Sequence, residues 1–264
     1  MTTILLQLLK DTKIDLTKAY LVPSGGSGDF DSKFDLTSKN FLRFAKQDLK
    51  SEDDRGIINS LTNSKRAIDC QTDKALEKCG IKSNGFDLDI KAFVEHFDLD
   101  EDVPIKLKII HALNLAPSIL ISKTRTFRNK LEHFYKKPTI DEAKEALDVA
   151  DLFIRSVEGK FKMLTNEFSL TDETNYDNNS DHWGFKNGLI FSFDTDNRNF
   201  SVGKLINKKK TERLIIDCNF TEYSGLLRLM FSIDDEIDLD ETLKVLLKQL
   251  EHPMPTEKVS LIQA

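Results

Sequence analysis

Cysteine is scarce in this 264-residue sequence, which contains only Cys70, Cys79 and Cys218. The three are widely spaced, their number is odd, and no two form a CxxC pair. This pattern fits neither a disulfide framework nor a cysteine-ligated zinc site. We therefore expect reduced thiols and a cytoplasmic protein.

Long hydrophobic runs and excess positive charge are also missing. No run of about 18 apolar residues is present, so we expect no membrane span. The start, MTTILLQLLKDTK, lacks the basic region and the cleavage site of a signal peptide, and it predicts an amphipathic helix or strand. Lys and Arg number 38 against 44 Asp and Glu, a net charge of −6. A nucleic-acid site must therefore be a local basic patch.

Carboxylates at the spacing of metal ligands are absent as well, which disfavours a metal-dependent nuclease. The stretch DTDNR, 194–198, lacks the glycine and the distant glutamate of a calcium loop, so it predicts a hairpin turn. NKKK, 207–210, predicts a basic turn between strands. We expect neither a metal nor another cofactor.

Composition and hydrophobic periodicity divide the sequence into four parts. Residues 1–36 form an N-terminal segment that contains a loop rich in Gly, Ser and Asp. Residues 37–163 have helical periodicity and predict an antiparallel helical bundle. Residues 164–182 are polar and predict a linker, and residues 183–264 predict a small α+β domain.

Two helices of the bundle have clear signals in the sequence. One begins at Thr139, where Glu142 three residues later completes a capping box. Its apolar stripe consists of Ala143, Ala146, Leu147, Ala150, Phe153, Ile154 and Val157. An earlier helix ends at Gly80. Its apolar positions are Ile57, Leu61, Ile68 and Leu76.

The last part of the sequence predicts strands. GLIFSFDTDNRNFSVGKLI reads as two alternating strands around a turn, and ERLIIDCNF and GLLRLMFSI add two more. DLDETLKVLLKQLEH predicts a closing amphipathic helix with an acidic N-terminus. The predicted fold class is therefore a mainly α N-terminal bundle followed by a small C-terminal α+β domain with about four antiparallel strands and a final helix.

The most informative stretch is RNKLEHFYKK, residues 128–137. On a helix, at about 100° per residue, the apolar side chains Phe127, Leu131 and Phe134 fall on one side. The polar side chains fall on the other: Arg125, Arg128, Asn129, Glu132, His133 and Tyr135. This side is either a solvated helix face or a set of catalytic groups.

A solvated face accounts for the polar side chains, with Glu132 paired to Arg128 one turn away. Composition favours the second interpretation, because residues 123–137 contain six Lys or Arg and a single acid. A histidine exchanges protons near neutral pH, and an arginine holds a phosphate. Histidine and arginine without a metal are the groups used in RNA transesterification, in which the ribose 2′-OH attacks the adjacent phosphate.

RNKLEHFY resembles the R-x4-H-x-Y motif of HEPN domains, with Arg128, His133 and Tyr135 at the motif positions. The stretch RNKLEHFYKKPTIDEAKEALDVADLFI resembles the last two helices of that family. NFLRFAKQDLKSEDDRGIINSLTNSKRAIDCQTDKAL resembles the first two helices. The likeness covers about residues 37–163.

The resemblance implies a homodimeric helical bundle that cleaves RNA without a metal, in toxin–antitoxin or anti-phage systems. Two motifs, one from each copy, meet in a cleft at the dimer interface. Arg128 would contact the scissile phosphate, His133 would act as general acid or base, and Asn129 would orient the phosphate. Arg125 and Lys130 would add charge for RNA phosphates.

A two-fold axis at the polar face doubles the single His and Arg of each copy. Glu132 would offset the repulsion by pairing with Arg125 or Arg128 of the second copy. Tyr135 occupies the position that is adenylylated in HEPN toxins paired with a nucleotidyltransferase antitoxin, so a cognate antitoxin or nucleotidyltransferase is an expected partner. The alternative is a non-catalytic HEPN scaffold that dimerises and binds a protein partner or a nucleotide.

Overall fold

A computed structural model describes residues 3–26, 34–51, 53–82, 86, 88–123, 126, 136–176, 184–233, 235 and 239–263. The helices in these ranges are α1 (Ile4–Thr12), α2 (Ser38–Leu49), α3 (Asp54–Lys78), α4 (Leu88–Val94), α5 (Ile105–Ala112), α6 (118–123 in its described part), α7 (Ile140–Lys162), α8 (Tyr223–Phe231) and α9 (Leu239–Gln249). The strands are β1 (Ala19–Gly25), β2 (Glu167–Asp172), β3 (Gly188–Asp194), β4 (Asn199–Ile206), β5 (Lys209–Ile216) and β6 (Leu261–Gln263).

The chain forms two compact units. The helical unit comprises Asp31–Phe86 and Phe97–Lys162. The sheet unit comprises Met1–Phe30, Asp87–His96 and Met163–Ala264. The sheet unit is therefore built from three separate pieces of the sequence.

The core of the helical unit is formed by α2, α3 and α7, which pack on one another. The predicted apolar positions of α3 and the predicted apolar stripe of α7 are all buried. Ser38 of α2 donates a hydrogen bond of 2.7 Å to the Gln71 side chain of α3, and both residues are buried. The predictions of helices α3 and α7 are confirmed.

Local hydrogen bonds fix where these helices begin. Thr37 forms a capping box at the start of α2, and the Asp53 carboxylate accepts from the Gly56 amide at 2.7 Å in the first turn of α3. At the start of α7, Glu142 accepts from the Thr139 amide at 2.8 Å and donates its own amide to Thr139 Oγ1 at 3.2 Å. The predicted capping box at Thr139 is confirmed.

The connection from α2 to α3 needs a glycine at position 56. A Cβ atom there would collide with Ser51 Oγ and with the carbonyl oxygen of Asp48. The Asp48 carboxylate also accepts a hydrogen bond of 2.8 Å from Asn63 of α3. The two helices therefore approach closely only because Gly56 has no side chain.

The sheet unit contains a six-stranded sheet in the order β5-β4-β3-β2-β1-β6 within the described residues. Strands β1 to β5 pair with their neighbours in antiparallel fashion, and Leu21 of β1 lies opposite Leu170 of β2. Strand β6 pairs with β1 in parallel, with Leu261 opposite Ala19. The sheet is therefore mixed. Its parallel pair joins β1, from the N-terminal part of the chain, to β6, from the C-terminal part.

Aromatic side chains fill one face of this sheet. The rings of Phe168 and Phe191 stack with centroids 4.9 Å apart. Phe200 contacts the ring of Tyr223 from α8 edge to face at 5.8 Å, and the Tyr223 hydroxyl donates to the carbonyl oxygen of Arg198 at 2.9 Å. These contacts hold α8 against the sheet.

A buried cation lies on the same face. Lys204 of β4 is 6% exposed, and its Nζ lies 2.6 Å from the Asp11 carboxylate of α1. The hydrogen bond from Lys204, together with one from Gln7, lowers the pKa of Asp11. This pair holds α1 to the sheet, and it satisfies a charge that burial alone would make costly.

Asp172, at the end of β2, accepts several hydrogen bonds. Asp172 is 1% exposed. It accepts a hydrogen bond of 2.7 Å from the amide of Asp15, which precedes β1. It also accepts from the Thr174 amide at 2.9 Å and from the Asn175 amide at 2.8 Å. One side chain therefore ties the connection before β1 to the turn after β2.

The predicted fold class is wrong, because the sheet is not confined to a small C-terminal domain. Strand β1 lies in the segment 1–36, and β2 lies in the residues predicted as the linker 164–182. Both are interior strands of the sheet. Strand β2 was hidden because Phe168 and Leu170 alternate with serine and threonine, so the segment EFSLTD has a polar composition although most of it is buried.

The predicted strand GLLRLMFSI is also wrong, since most of it lies in α8. Every residue from Tyr223 to Phe231 is buried. A helix that is buried all round has no polar face, so its periodicity does not separate it from a buried strand. The hairpin of β3 and β4, strand β5 and the closing helix α9 are confirmed.

Candidate functional site

The residues of the candidate HEPN site lie outside the described part of the chain. They are Arg125, Arg128, Asn129, Lys130, Glu132, His133 and Tyr135. What the structure describes is the helical unit on either side of them.

Helix α6, which precedes the segment in sequence, packs into the core of the helical unit. Ile121 is fully buried, and Leu120 packs against a cluster formed by Leu61 of α3 with Ala146 and Val149 of α7. Thr126, three residues beyond the last described residue of α6, is again helical and exposed. Helix α6 therefore packs on α3 and α7.

The residues that follow the segment also contact the helical unit. Pro138 is buried, and the capping box at Thr139 starts α7 directly after it. Lys137 forms an ion pair with Asp54 in the first turn of α3. The motif is thus preceded by one contact with the bundle and followed by another.

Electrostatic pairing reduces the positive charge predicted for residues 123–137. Lys123 lies 2.6 Å from the Glu145 carboxylate of α7, and Lys137 pairs with Asp54. Both pairs are exposed to solvent, so each is weak, but each places an acid beside a cation of the patch. The local field is therefore less positive than the sequence of this stretch alone indicates.

The histidines that the structure describes are partly buried or bonded to the backbone. His111 Nδ1 lies 3.3 Å from the carbonyl oxygen of Ala116, and its ring contacts Phe97 edge to face. Burial lowers the pKa of His252, and its Nδ1 accepts from the Met254 amide at 3.2 Å. Burial also lowers the pKa of His96. None of these three lies in a cluster of catalytic groups within the described residues.

The two turns that we weighed as sites are hairpin turns. The Asp194 carboxylate accepts from the backbone amides of Asp196 and Asn197, each at 2.9 Å. A hydrogen bond from the Asn197 side chain, together with these two, lowers the pKa of Asp194. Asn207 and Lys208 both have positive φ, which is typical of a two-residue hairpin turn. Among the described residues, no group of three or more His, Cys, Asp or Glu could hold a metal ion.

A cavity that we did not predict lies between α3 and the start of α5, in the helical unit. Its volume is about 390 Å³. Its lining consists of Lys65, Asp69, Thr72, Asp73, Pro104, Ile105, Lys106 and Leu107. A proline followed by an uncapped helix start was the available sequence signal.

Cys70, Cys79 and Cys218 all have thiol side chains. In the described part of the chain, no helix combines the length and the apolar character that a bilayer crossing requires. No protein-family model, no curated protein and no solved structure matches this chain.

Proposed function

We propose that the protein is a metal-independent endoribonuclease of the HEPN type, which acts in the cytoplasm as a homodimer. The observation that carries the proposal is the sequence R-x4-H-x-Y, given by Arg128, His133 and Tyr135, between α6 and α7 of a helical unit. A motif of this kind is informative only in the right structural context. Here it lies in sequence between α6 and the long helix α7.

Contacts on both sides of the motif support the proposal. Leu120 packs into the core before it, and Pro138 and the Thr139 capping box follow it. A catalytic helix must be held in a fixed position, because small displacements of the reacting groups are costly in rate. Attachment to α3 and α7 provides such support.

The reaction requires no group beyond those of the motif. The ribose 2′-OH attacks the adjacent phosphorus while one His133 imidazole accepts the hydroxyl proton. A bond to the 2′-oxygen forms, the bond to the 5′-oxygen breaks, and a second protonated imidazole donates a proton to the leaving oxygen. Arg128 stabilises the charge that develops on the phosphate, and Asn129 orients it. The products are a 2′,3′-cyclic phosphate and a 5′-hydroxyl.

A second copy of the chain supplies the second imidazole. One motif contains a single histidine, whereas the reaction uses both a base and an acid. In this arrangement Arg125 and Lys130 bind flanking phosphates, and Glu132 of each copy pairs with an arginine of the other. Tyr135 is the residue that a nucleotidyltransferase antitoxin would modify, which links the activity to toxin–antitoxin or anti-phage defence.

The decisive experiment incubates the full chain with total RNA in EDTA. We expect cleavage to persist in EDTA and to fall by about 100-fold or more in Arg128→Ala and His133→Gln. Arg155→Ala is the matched control, because Arg155 is an exposed arginine of α7 whose side chain bonds Asp151 one turn away. Loss of cleavage in EDTA, or equal loss in Arg155→Ala, would contradict the proposal.

One observation favours the alternative of a non-catalytic scaffold. The acids Asp54 and Glu145 already pair with Lys137 and Lys123 at the two ends of the motif, which weakens the attraction for a polyanion. A scaffold predicts no cleavage by the wild-type protein, together with saturable binding of a protein partner or a nucleotide that survives Arg128→Ala and His133→Gln.

A further inference from the structure

We infer that a groove on one face of the sheet, across β3, β4 and β5, binds the phosphate backbone of single-stranded RNA. The groove has a volume of about 480 Å³, and the polar and glycine residues of its lining are Glu167, Ser192, Ser201, Gly203, Lys210 and Arg213. All of them belong to the sheet unit. The choice of RNA over another polyanion rests on the proposed function, whereas the groove itself shares no residue with the motif.

The groove lies on the face of the sheet opposite α8. Phe200 of β4 contacts the ring of Tyr223 from α8, and Phe193 of β3 lies opposite Phe200 in the sheet. Successive side chains of a strand point to alternate faces. The neighbouring side chains of Ser192 and Ser201 therefore point away from α8. The register places these two serines directly opposite each other.

An irregularity in β5 brings two cations to this face. Gly203 of β4 lies opposite Arg213, but the next residue, Lys204, lies opposite Thr211, so β5 has one extra residue at this point. In a regular strand, residues three apart point to opposite faces. The extra residue removes this alternation, as a β-bulge does. Lys210 and Arg213 consequently line the same groove.

The Arg213 guanidinium is oriented for an anion. Its Nε donates a hydrogen bond of 2.6 Å to Ser201 Oγ, which leaves the paired donors of the two Nη groups for a ligand. A planar fork of this kind matches two oxygens of a phosphate. The Ser192 side chain makes no hydrogen bond within the described ranges, so its hydroxyl is a further donor. Gly203, opposite Arg213, has no side chain to fill the middle of the groove.

Positive charge continues from the groove along the edge of the sheet. The exposed cations of this edge are Lys186, Lys208, Lys209, Lys210 and Arg213. None of the five forms an ion pair with another residue that the structure describes. The Lys208 amide donates to the carbonyl oxygen of Lys186 at 2.9 Å, which places Lys186 beside the turn before β5. In a protein of net charge −6, this edge is a concentrated basic patch.

The extent of the patch favours a chain of phosphates over a single anion. A second depression of about 600 Å³ adjoins the groove and shares Ser192, Ser201 and Arg213 with it. Five cations exceed the charge of one phosphate group, whereas an RNA strand carries a phosphate at every nucleotide. The acid Glu167 lines the groove without pairing with Lys210 or Arg213. Contacts to phosphates carry no sequence information, so we expect binding without sequence preference.

The test measures binding of a fluorescent 2′-O-methyl oligouridylate of about 12 nucleotides, a length within the range of single-strand sites. This probe has no free 2′-hydroxyl, so transesterification cannot cleave it. The protein is the full chain carrying Arg128→Ala, which limits the contribution of the motif. Fluorescence anisotropy at several salt concentrations gives the affinity and its salt dependence. We expect the probe to bind, and the affinity to fall steeply as salt rises.

Variants then locate the site. Arg213→Ala should weaken binding by about tenfold and should reduce the slope of log affinity against log salt by about 0.7, the value for one cation on a single strand. Arg213→Lys should keep the slope but lose affinity, because lysine has no planar fork. Lys210→Ala should weaken binding by about threefold with the same change in slope.

Lys258→Ala is the matched control. Lys258 is an exposed lysine of the sheet unit that does not line the groove and has no ion pair among the described residues. Its replacement removes the same charge and should leave both the affinity and the slope unchanged.

Four outcomes overturn the inference. One is that the probe does not bind at about 50 mM salt, where phosphate contacts are strong. Another is that Lys258→Ala and Arg213→Ala weaken binding equally, which indicates diffuse attraction. The third is that a polyglutamate peptide of equal charge binds as tightly, which indicates an acidic protein partner. The fourth is that uridine monophosphate binds as tightly as the probe, which indicates a site for one phosphate.

The groove and the ribonuclease proposal fail separately. If the wild-type protein does not cleave RNA, the ribonuclease proposal is contradicted, but binding of the uncleavable probe can still be measured. If Arg213→Ala leaves binding of the probe unchanged, the groove is excluded, but cleavage in EDTA and its loss in His133→Gln are unaffected.

Discussion

The helical unit and the sheet unit reach their folds by different kinds of interaction. In the helical unit the ends of α2, α3 and α7 are set by side chains within a few residues of each helix start. In the sheet unit, Asp172 binds the amide of Asp15, and Lys204 binds Asp11, across separations of 157 and 193 residues. The first unit depends on local signals, whereas the second depends on partners that are remote in sequence.

This difference has an energetic consequence. A local cap stabilises one end of one helix, so its loss is confined to that end. A carboxylate that joins remote segments stabilises all of them, so its loss is felt in each. Mutations in the two units should therefore differ both in magnitude and in how far their effects spread.

The largest effect is expected for Asp172→Ala. The change removes the carboxylate that accepts the partly buried hydrogen bonds of the Asp15, Thr174 and Asn175 amides and should lower the free energy of unfolding by about 3 kcal/mol. Amide exchange should accelerate in β1 and β2 together. Asp194→Ala is the control, because that carboxylate accepts hydrogen bonds from Asp196 and Asn197 of its own turn. An equal loss in both variants would remove the distinction between local and remote partners.

The next largest effect is expected for Gly56→Ala in the helical unit. The added methyl group would collide with Ser51 and Asp48, and overpacking of this kind costs about 2 kcal/mol. Gly159→Ala in α7 is the matched change, because nothing lies within 4 Å of a Cβ at that position. That variant should gain up to about 1 kcal/mol from helix propensity. Urea denaturation of both variants measures the contrast, and a loss in Gly159→Ala would contradict it.

A smaller effect is expected for Thr139→Ala. Removing the cap should lower the free energy of unfolding by about 1 kcal/mol. Faster amide exchange should be limited to the first turn of α7. Glu142→Gln should be nearly neutral, since glutamine also completes a capping box. If Thr139→Ala instead accelerated exchange along the whole of α7, the helical unit would be as dependent on single contacts as the sheet unit.

The smallest effect is expected in how the difference in stability between the wild type and Asp172→Asn changes with pH. Burial alone would raise the pKa of Asp172, but hydrogen bonds from Asp15, Thr174 and Asn175 bring it below its usual value. A lowered folded-state pKa means that the charge contributes stability above the unfolded pKa of about 3.9, and that this contribution is lost as the pH falls through the folded value. The stability gap between the two proteins should be constant from about pH 7 to pH 5 and narrow below about pH 4; a gap that widens in acid would refute this.

These contrasts also explain what the sequence predicted. The helices α3, α7 and α9 were predicted because caps, apolar spacing and helix ends are written within each segment. The β3–β4 hairpin was predicted because its turn residues lie between two alternating strands. Strand β2 was missed because its partners, β1 and β3, are remote or separated from it by a polar stretch. Helix α8 was misread as a strand because it is mostly apolar and buried on every side.

The candidate site follows the same division. The order of Arg128, His133 and Tyr135 could be read directly from the sequence, and so could the helices before and after them. The pairing of Lys123 with Glu145 and of Lys137 with Asp54 could not, because it depends on how three helices pack. The cavity beside α5 was missed for the same reason, since Thr72 and Lys106 are brought together only by the fold.

The parallel pairing of β6 with β1 constrains the order of events on the ribosome. Ala19 is made early, but its partner Leu261 is added only after about 240 further residues have been translated. All residues of the helical unit have been synthesised once Lys162 is made. The nascent chain therefore contains every residue of the helical unit, while strand β6 has not yet been synthesised.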